Sequence, residues 1–198
     1  MDLKSMTLIE MQEYMESIGE KKFRAKQVYE WFHKQRALSL DEMNNIPKKL
    51  KEKIEQTQDV YGVKPVDCFI SKIDGTRKYL FELYDGNIIE SVLMKYKHGN
   101  SVCISSQAGC RMGCKFCAST LGGLDRNLTP SEMLSQIYYI QRDTGERVSN
   151  VVMMGTGEPM DNYDNVLRFL ELITSENGLN ISQRNITIST CGIVPKIK

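Results

Sequence analysis

The sequence predicts an α/β fold in which a small helical domain and a short antiparallel β segment precede a parallel sheet. Three observations carry this. The first sixty residues show helical signals and no convincing strand; from Gly62 apolar residues recur with period two; after Gly99 strands alternate with amphipathic helices. The shifts divide the chain into residues 1–60, 61–98 and 99–198.

Each element has its own signal. Thr7 with Glu10 reads as a capping box opening an amphipathic helix that ends near Gly19. Phe23 to Gln35 places Val28, Trp31 and Phe32 on one apolar stripe, with Trp31 expected in the core. Ser39 with Glu42 predicts a third, short helix, and Pro47 fits the first position of a fourth over KKLKEKIEQ. In the β segment Val66, Cys68 and Ile70 share one side, so Cys68 is expected to pack in the core. Tyr79, Phe81 and Leu83 follow across the Asp74-Gly75 turn, and Asp85-Gly86 repeats that hairpin signal before Ile88 to Met94. Parallel strands are expected at Val102 to Ser105, Val148 to Met154 and Asn185 to Ser189. The intervening helices are Pro130 to Arg142, with Thr129 and Glu132 as a capping box, and Tyr163 to Thr174; another helix begins near Pro195.

Composition narrows the function classes. A chain of 198 residues allows one domain, or one and a fraction. With 26 Lys and Arg against 25 Asp and Glu the chain is no polybasic tail, and 41% hydrophobic content excludes wholesale disorder. No apolar run approaches the roughly 18 residues of a membrane helix, and the N-terminus is acidic and amphipathic, unlike a signal or transit peptide. A cytoplasmic protein with no membrane partner is expected. Its six cysteines are then expected to be reduced, and their clustering points to metal or redox chemistry.

The cluster is Cys110, Cys114 and Cys117, in C-x3-C-x2-C spacing, just beyond the first parallel strand. Gly109 and Gly113 give the backbone freedom to wrap a compact inorganic centre, and three thiolates can hold three irons of a 4Fe-4S cluster. Structural zinc normally takes four ligands, and no fourth Cys or His stands at suitable spacing. Cys114 and Cys117 alone would suffice for a dithiol pair, which leaves Cys110 and Cys103 as surplus.

The string CISSQAGCRMGCKFCASTLGGLDRNLTPSE, with GTGEP and ISTCGIVP, resembles the adenine-C2 methyltransferases that modify 23S rRNA and some tRNAs, a branch of the radical S-adenosylmethionine (radical SAM) enzymes. The resemblance implies part of a radical SAM (β/α) barrel behind an RNA-binding helical domain. It implies Cys110, Cys114 and Cys117 as cluster ligands, and Gly157, Glu158 and Ser189 as contacts to SAM. Glu90 matches the proton acceptor, and Cys103 the thiol that releases product through a transient disulfide. Partners implied are 23S rRNA, tRNA and an electron donor such as flavodoxin or ferredoxin, with the whole protein monomeric. The family's methyl-carrying cysteine lies beyond the last strand present, so an N-terminal fragment, inactive by itself, is expected.

Other features have plainer readings. CASTLGG favours the C2 branch, whereas Met94-Lys-Tyr-Lys is reminiscent of the C8-methylating relatives. A non-catalytic, zinc-stabilised RNA-binding module is the alternative of another class. Cys191 is expected to be structural, and His33 and His98 to sit at the surface or behind the site. Lys21, Lys22, Arg24, Lys26, Lys34 and Arg36 form a local basic excess suited to RNA phosphates. Lys95, Lys97, Arg111, Lys115 and Arg126 are candidates for lining an RNA path.

Overall fold

The computed structural model describes residues 2–197. Helix α1 (Leu8–Ser17) starts at the expected capping box: the Glu10 amide donates to Thr7 Oγ1 at 3.3 Å and the Thr7 amide to the Glu10 carboxylate at 2.7 Å. Two amides that a helix start leaves without partners are thereby satisfied. Helix α2 (Lys22–His33) buries Val28 and Phe32, and α3 (Lys48–Thr57) begins directly after Pro47, which caps the helix from outside. No helix forms over Ser39 to Glu42. The Glu42 carboxylate accepts the Leu38 amide and pairs with Arg142 at 2.6 Å, so the group expected inside a first turn is held from outside it.

The meander and the parallel strands belong to one sheet. β1 (Lys64–Ile70), β2 (Arg77–Glu82), β3 (Ile88–Tyr96) and β4 (Gly99–Cys103) run antiparallel. Two short strands, β5 (Gln107–Gly109) and β6 (Leu124–Asn127), form a separate ladder inside what the sequence presents as a polar loop. Helix α4 (Pro130–Thr144), strand β7 (Val148–Met153), helix α5 (Tyr163–Thr174), strand β8 (Ile186–Ile188) and the short α6 (Val194–Ile197) follow. β7 and β8 add in parallel beside β4, giving the order β1-β2-β3-β4-β7-β8.

Helix α4 lies at the centre of the packing. Tyr139 sets its ring edge against Phe81 and Tyr79, at 5.4 and 6.2 Å. The other side of α4 meets the N-terminal segment, where buried Lys4 donates to Ser135 Oγ at 3.1 Å and lies 5.4 Å from the Phe32 ring centre. Burial pulls the Lys4 ammonium down to about 8 despite the nearby carboxylates of Asp2 and Glu42. Arg168 of α5 grips Glu10 of α1 with two hydrogen bonds of 2.7 and 2.8 Å. One continuous apolar core therefore runs from the first helices into the sheet, each large side chain in it worth roughly 1.5–3 kcal/mol.

Three side-chain expectations are corrected. Cys68 pairs in register with Tyr79 and shares its face, yet β1 is the sheet edge and every residue of it is exposed, Cys68 included. His33 is fully buried, sharing a 2.8 Å hydrogen bond with the Tyr138 hydroxyl, and burial drives its imidazole down to about 3. Trp31 is only partly buried, because its indole N–H reaches out to Asn45. Among the described residues, no helix is long and apolar enough to cross a membrane.

Candidate functional site

The C-terminal ends of β4, β7 and β8 face one edge of the sheet, where successive loops of a parallel α/β fold converge. Beneath this edge lies a buried polar floor. Gln136 of α4 accepts the Ser105 amide at 2.9 Å and the Ser91 hydroxyl at 2.6 Å, and its Nε2 donates to the Ser105 carbonyl at 3.0 Å. Asn162 Nδ2 donates to the carbonyls of Ser106 and Leu128, each at 2.8 Å. The Ser106 and Gln107 amides both reach the Thr156 carbonyl, at 2.9 and 3.1 Å. Gln107 Oε1 in turn accepts the Glu158 amide at 2.8 Å. The GTGEP loop is thus stitched to the segment leading into the cysteines.

The cysteine loop leaves this floor through a narrow neck. Gly109 has φ of 73°, and a β-carbon there would stand 2.1 Å from the Gly123 carbonyl oxygen, so a side chain is excluded. The Cys110 amide closes the neck by donating to that same oxygen at 2.7 Å. Arg111, next in sequence, donates Nε to the Asp161 carboxylate at 2.9 Å, and Gln107 Nε2 reaches the same group at 3.0 Å. Further along, Thr120 Oγ1 donates to the Cys117 carbonyl at 2.9 Å.

A cavity of about 390 Å³ opens above the floor, lined by Cys110, Cys114 and Cys117, by Gly157 and Glu158, and by Ser189 from the end of β8. Six of the eight residues singled out from the sequence therefore share one cavity. Glu90 and Cys103 do not line it. Val92 pairs with Cys103, so Glu90, two residues away on β3, shares the Cys103 face of the sheet. Glu90 is exposed and pairs with Lys78 at 3.0 Å; burial holds the Cys103 thiol above its ordinary range.

The donor set is all thiol, and all six cysteines are free, with no disulfide at Cys103. Among the described residues no three His, Cys, Asp or Glu side chains converge on a point that one metal ion would fill. Three thiols on one cavity are a donor set that a multi-iron cluster accepts, one thiolate per iron. Burial pushes the Glu158 carboxyl up, but hydrogen bonds from Thr190, Cys191 and Met160 outweigh it and keep the carboxyl below the ordinary range. Gly157 has φ of 106°, and a β-carbon there would press within 2.5 Å of Gln107.

Several assignments shift. Cys191 is exposed on the cavity wall, its amide donating to Glu158 at 2.7 Å, rather than packed as a structural residue. Of the basic residues near the loop, Lys95, Arg111 and Arg126 are held by Glu146, Asp161 and the Asp85–Glu132 pair. Sequence reasoning missed Gln107, Gln136, Asp161 and Asn162. A buried glutamine or asparagine inside an apolar pattern was the available signal for Gln136, and nothing local marked the others.

Comparison with known proteins agrees with this geometry. Residues 1–60 match the family described as the ribosomal RNA large subunit methyltransferase N-terminal domain, and residues 104–198 match the radical SAM superfamily. The chain is 63% identical over 197 residues to a protein of Lachnospira eligens called a probable dual-specificity RNA methyltransferase RlmN, covering 100% of this chain and 56% of the relative. A protein of the same description from Lachnoclostridium phytofermentans is 61% identical, with 100% and 55% covered. The crystal structure of a radical SAM methyltransferase from Sphaerobacter thermophilus superposes with a TM-score of 0.92 at 39% identity, covering 100% of this chain and 59% of that one. The chain spans about half the length of the curated relatives it matches. The two family matches stand in chain order, the ribosomal RNA large subunit methyltransferase N-terminal domain over residues 1–60 ahead of the radical SAM superfamily over residues 104–198, and the relatives align along the whole of this chain.

Proposed function

We propose that the chain is the part of a radical SAM RNA methyltransferase that holds the cluster and the methionyl end of SAM, and that the whole protein methylates adenosine C2 in 23S rRNA and tRNA. The observation that carries this reading is the single cavity lined by three thiols, Gly157, Glu158 and Ser189. When bound there, a 4Fe-4S cluster supplies an open iron for SAM and the electron that breaks its carbon–sulfur bond.

The chain's own groups divide the remaining work. Cys110, Cys114 and Cys117 hold the cluster as thiolates. Glu158, kept ionised by its hydrogen bonds, presents negative charge to the ammonium group of SAM, and Gly157 lets the ligand approach the backbone closely. Ser189 offers a hydroxyl from the third wall. Glu90 takes the proton from the modified base on its carboxylate, and Cys103 Sγ attacks the sulfur of the methyl-carrying cysteine further along the whole protein, so that a disulfide forms as the bond from that sulfur to the carbon on the base breaks and that carbon takes up the thiol's proton. Their shared sheet face supports this pairing of roles. The Cys103 thiol, raised by burial, stays protonated at neutral pH until that step.

Residues 1–60 serve as an accessory RNA-gripping domain, 61–98 as the β linker and 99–198 as the first half of the barrel. Exposed Lys21 and Lys26 contact phosphates, which position the RNA without specifying it. The electron comes from a flavodoxin or ferredoxin, and the whole protein is a cytoplasmic monomer. Anaerobic reconstitution followed by iron, sulfide and zinc analysis tests the reading. About four irons per chain are expected, with an electron paramagnetic resonance signal that SAM alters and that Glu158→Gln leaves less responsive; one zinc and no iron would overturn it.

A further inference from the structure

A second polar cavity, of about 330 Å³, lies at the other end of β7, in the seam between the first helices and the sheet. Its walls bring together Lys34 and Arg36 from the end of α2, Gln141 from the last turns of α4, and Arg147 ahead of β7. Gln141 is 4% exposed. Its Oε1 accepts the Val148 amide at 3.1 Å, which fixes the orientation of the side-chain amide and leaves Nε2 buried with no acceptor. Arg36 Nε is likewise buried with no acceptor. The Arg36 backbone sits at φ of 60°, a region its β-carbon disfavours, and is held there by Arg142, which donates to the Arg36 carbonyl at 3.1 Å.

Charge points the same way. Lys34 shares Glu30 at 3.3 Å, while neither Arg36 nor Arg147 pairs with a carboxylate among the described residues. Glu146, the carboxylate in the wall, is engaged by Lys95 at 2.5 Å and Asn100 at 2.8 Å. Buried N–H groups nearly always find a partner. Two without one, on residues that line a cavity with three cations, call for a ligand that is negative and accepts several hydrogen bonds at once.

We infer that the seam cavity binds a phosphoryl group. The carbonyl ends of α2 and α4 lie here, and their partial negative charge opposes any anion, so side chains must supply the attraction. A phosphoryl group, with several acceptor oxygens, suits two guanidinium forks and an amide N–H; chloride offers no comparable directional match. The group belongs either to an RNA backbone or to free phosphate, and the chemistry of recognition is shared. The inference does not rest on the radical-transfer reading.

Nuclear magnetic resonance of the chain, titrated with inorganic phosphate against chloride at matched ionic strength, tests it. The Gln141 Nε2 and Arg36 Nε proton signals are expected to shift with phosphate and not with chloride. Arg147→Gln is expected to weaken phosphate at least fivefold. Gln141→Glu, which keeps the acceptor for the Val148 amide and replaces the donor, is expected to abolish the response. A short single-stranded RNA forms the second arm: shifts with RNA at lower concentration assign the backbone as source, and shifts with phosphate alone assign the free anion. Absence of shifts with either, or an undiminished response in Arg147→Gln, would overturn the site; Arg147 is exposed enough at its loop for that variant to keep the fold.

Discussion

The floor under the cysteine loop and the seam beneath the first helices are both buried and both polar, yet they are finished differently. In the floor, Gln136, Gln107 and Asn162 each bond to two or more groups across distant segments. In the seam the bonding is incomplete. Among the described residues, four buried side-chain atoms lack a partner: Asp2 Oδ1, His33 Nε2, Arg36 Nε and Gln141 Nε2. Arg36 and Gln141 line the seam cavity and His33 lies against its Gly178, whereas Asp2 sits at the other end of α4 beside Ser131. A fully satisfied network fixes positions to a fraction of an ångström, whereas an unsatisfied one makes docking depend on solution conditions. The fold thus places its rigid polar network where thiols must stand at set spacing, and its conditional one where two layers meet.

The sharpest way to break this comparison is acid. His33 is neutral in the fold with its imidazole lowered to about 3, against 6.5 when free. Between those values the unfolded chain binds a proton that the folded chain refuses, so stability is complete above pH 6.5 and falls as pH drops toward 3. The loss should approach roughly 4 kcal/mol by pH 3.5, more than half of it before carboxylates titrate. Urea denaturation across this range measures it, and His33→Gln should flatten the slope. An equal slope in the variant would show that the seam is no more conditional than the floor.

The floor makes the opposite prediction. Gln136→Leu leaves the Ser105 amide, the Ser105 carbonyl and the Ser91 hydroxyl buried without their partner, at a cost of about 3 kcal/mol. The cost should be constant from pH 5 to 8, since nothing in that network titrates there. A midpoint shift in urea with unchanged slope is the expected signature; a negligible shift would mean the floor is not the fixed element.

The two regions also differ in how far the sequence reveals them. Capping boxes at Thr7 and Thr129 are local devices, and both helices start where those residues say. The cysteine spacing and the GTGEP loop are equally local, so the cavity wall was legible. Ser39 and Glu42 carry the same local pattern, yet a distant arginine claims the carboxylate and no helix forms. Alternation correctly grouped Cys68 with Ile70 on a face but carried no information on whether anything covers that face. β5 and β6 are too short to show a period. Gln107, Asn162 and His33 take their roles from partners more than twenty residues away, and no window of sequence contains both halves of such a bond.

The smallest effect sharpens the comparison at the point where rigid floor meets open rim. Asp161 receives Arg111 from the cysteine loop and Gln107 from the floor, and the Arg111 bond, with help from Gln107, keeps its carboxyl below the ordinary range. Asp161→Asn leaves one acceptor oxygen for three donors. Because the Arg111 side chain is 62% exposed, the global cost should be under about 1 kcal/mol. The local effect should be larger: amides of residues 110–117 should exchange faster with solvent while those of α4 do not change. The carboxyl is depressed in the fold, so its contribution is present above the unfolded value near 3.9 and disappears as pH falls below it. Wild-type and variant exchange rates should therefore converge in acid. If the loop amides exchange alike at pH 7, the neck at Gly109 alone holds the thiols, and the floor's reach ends there.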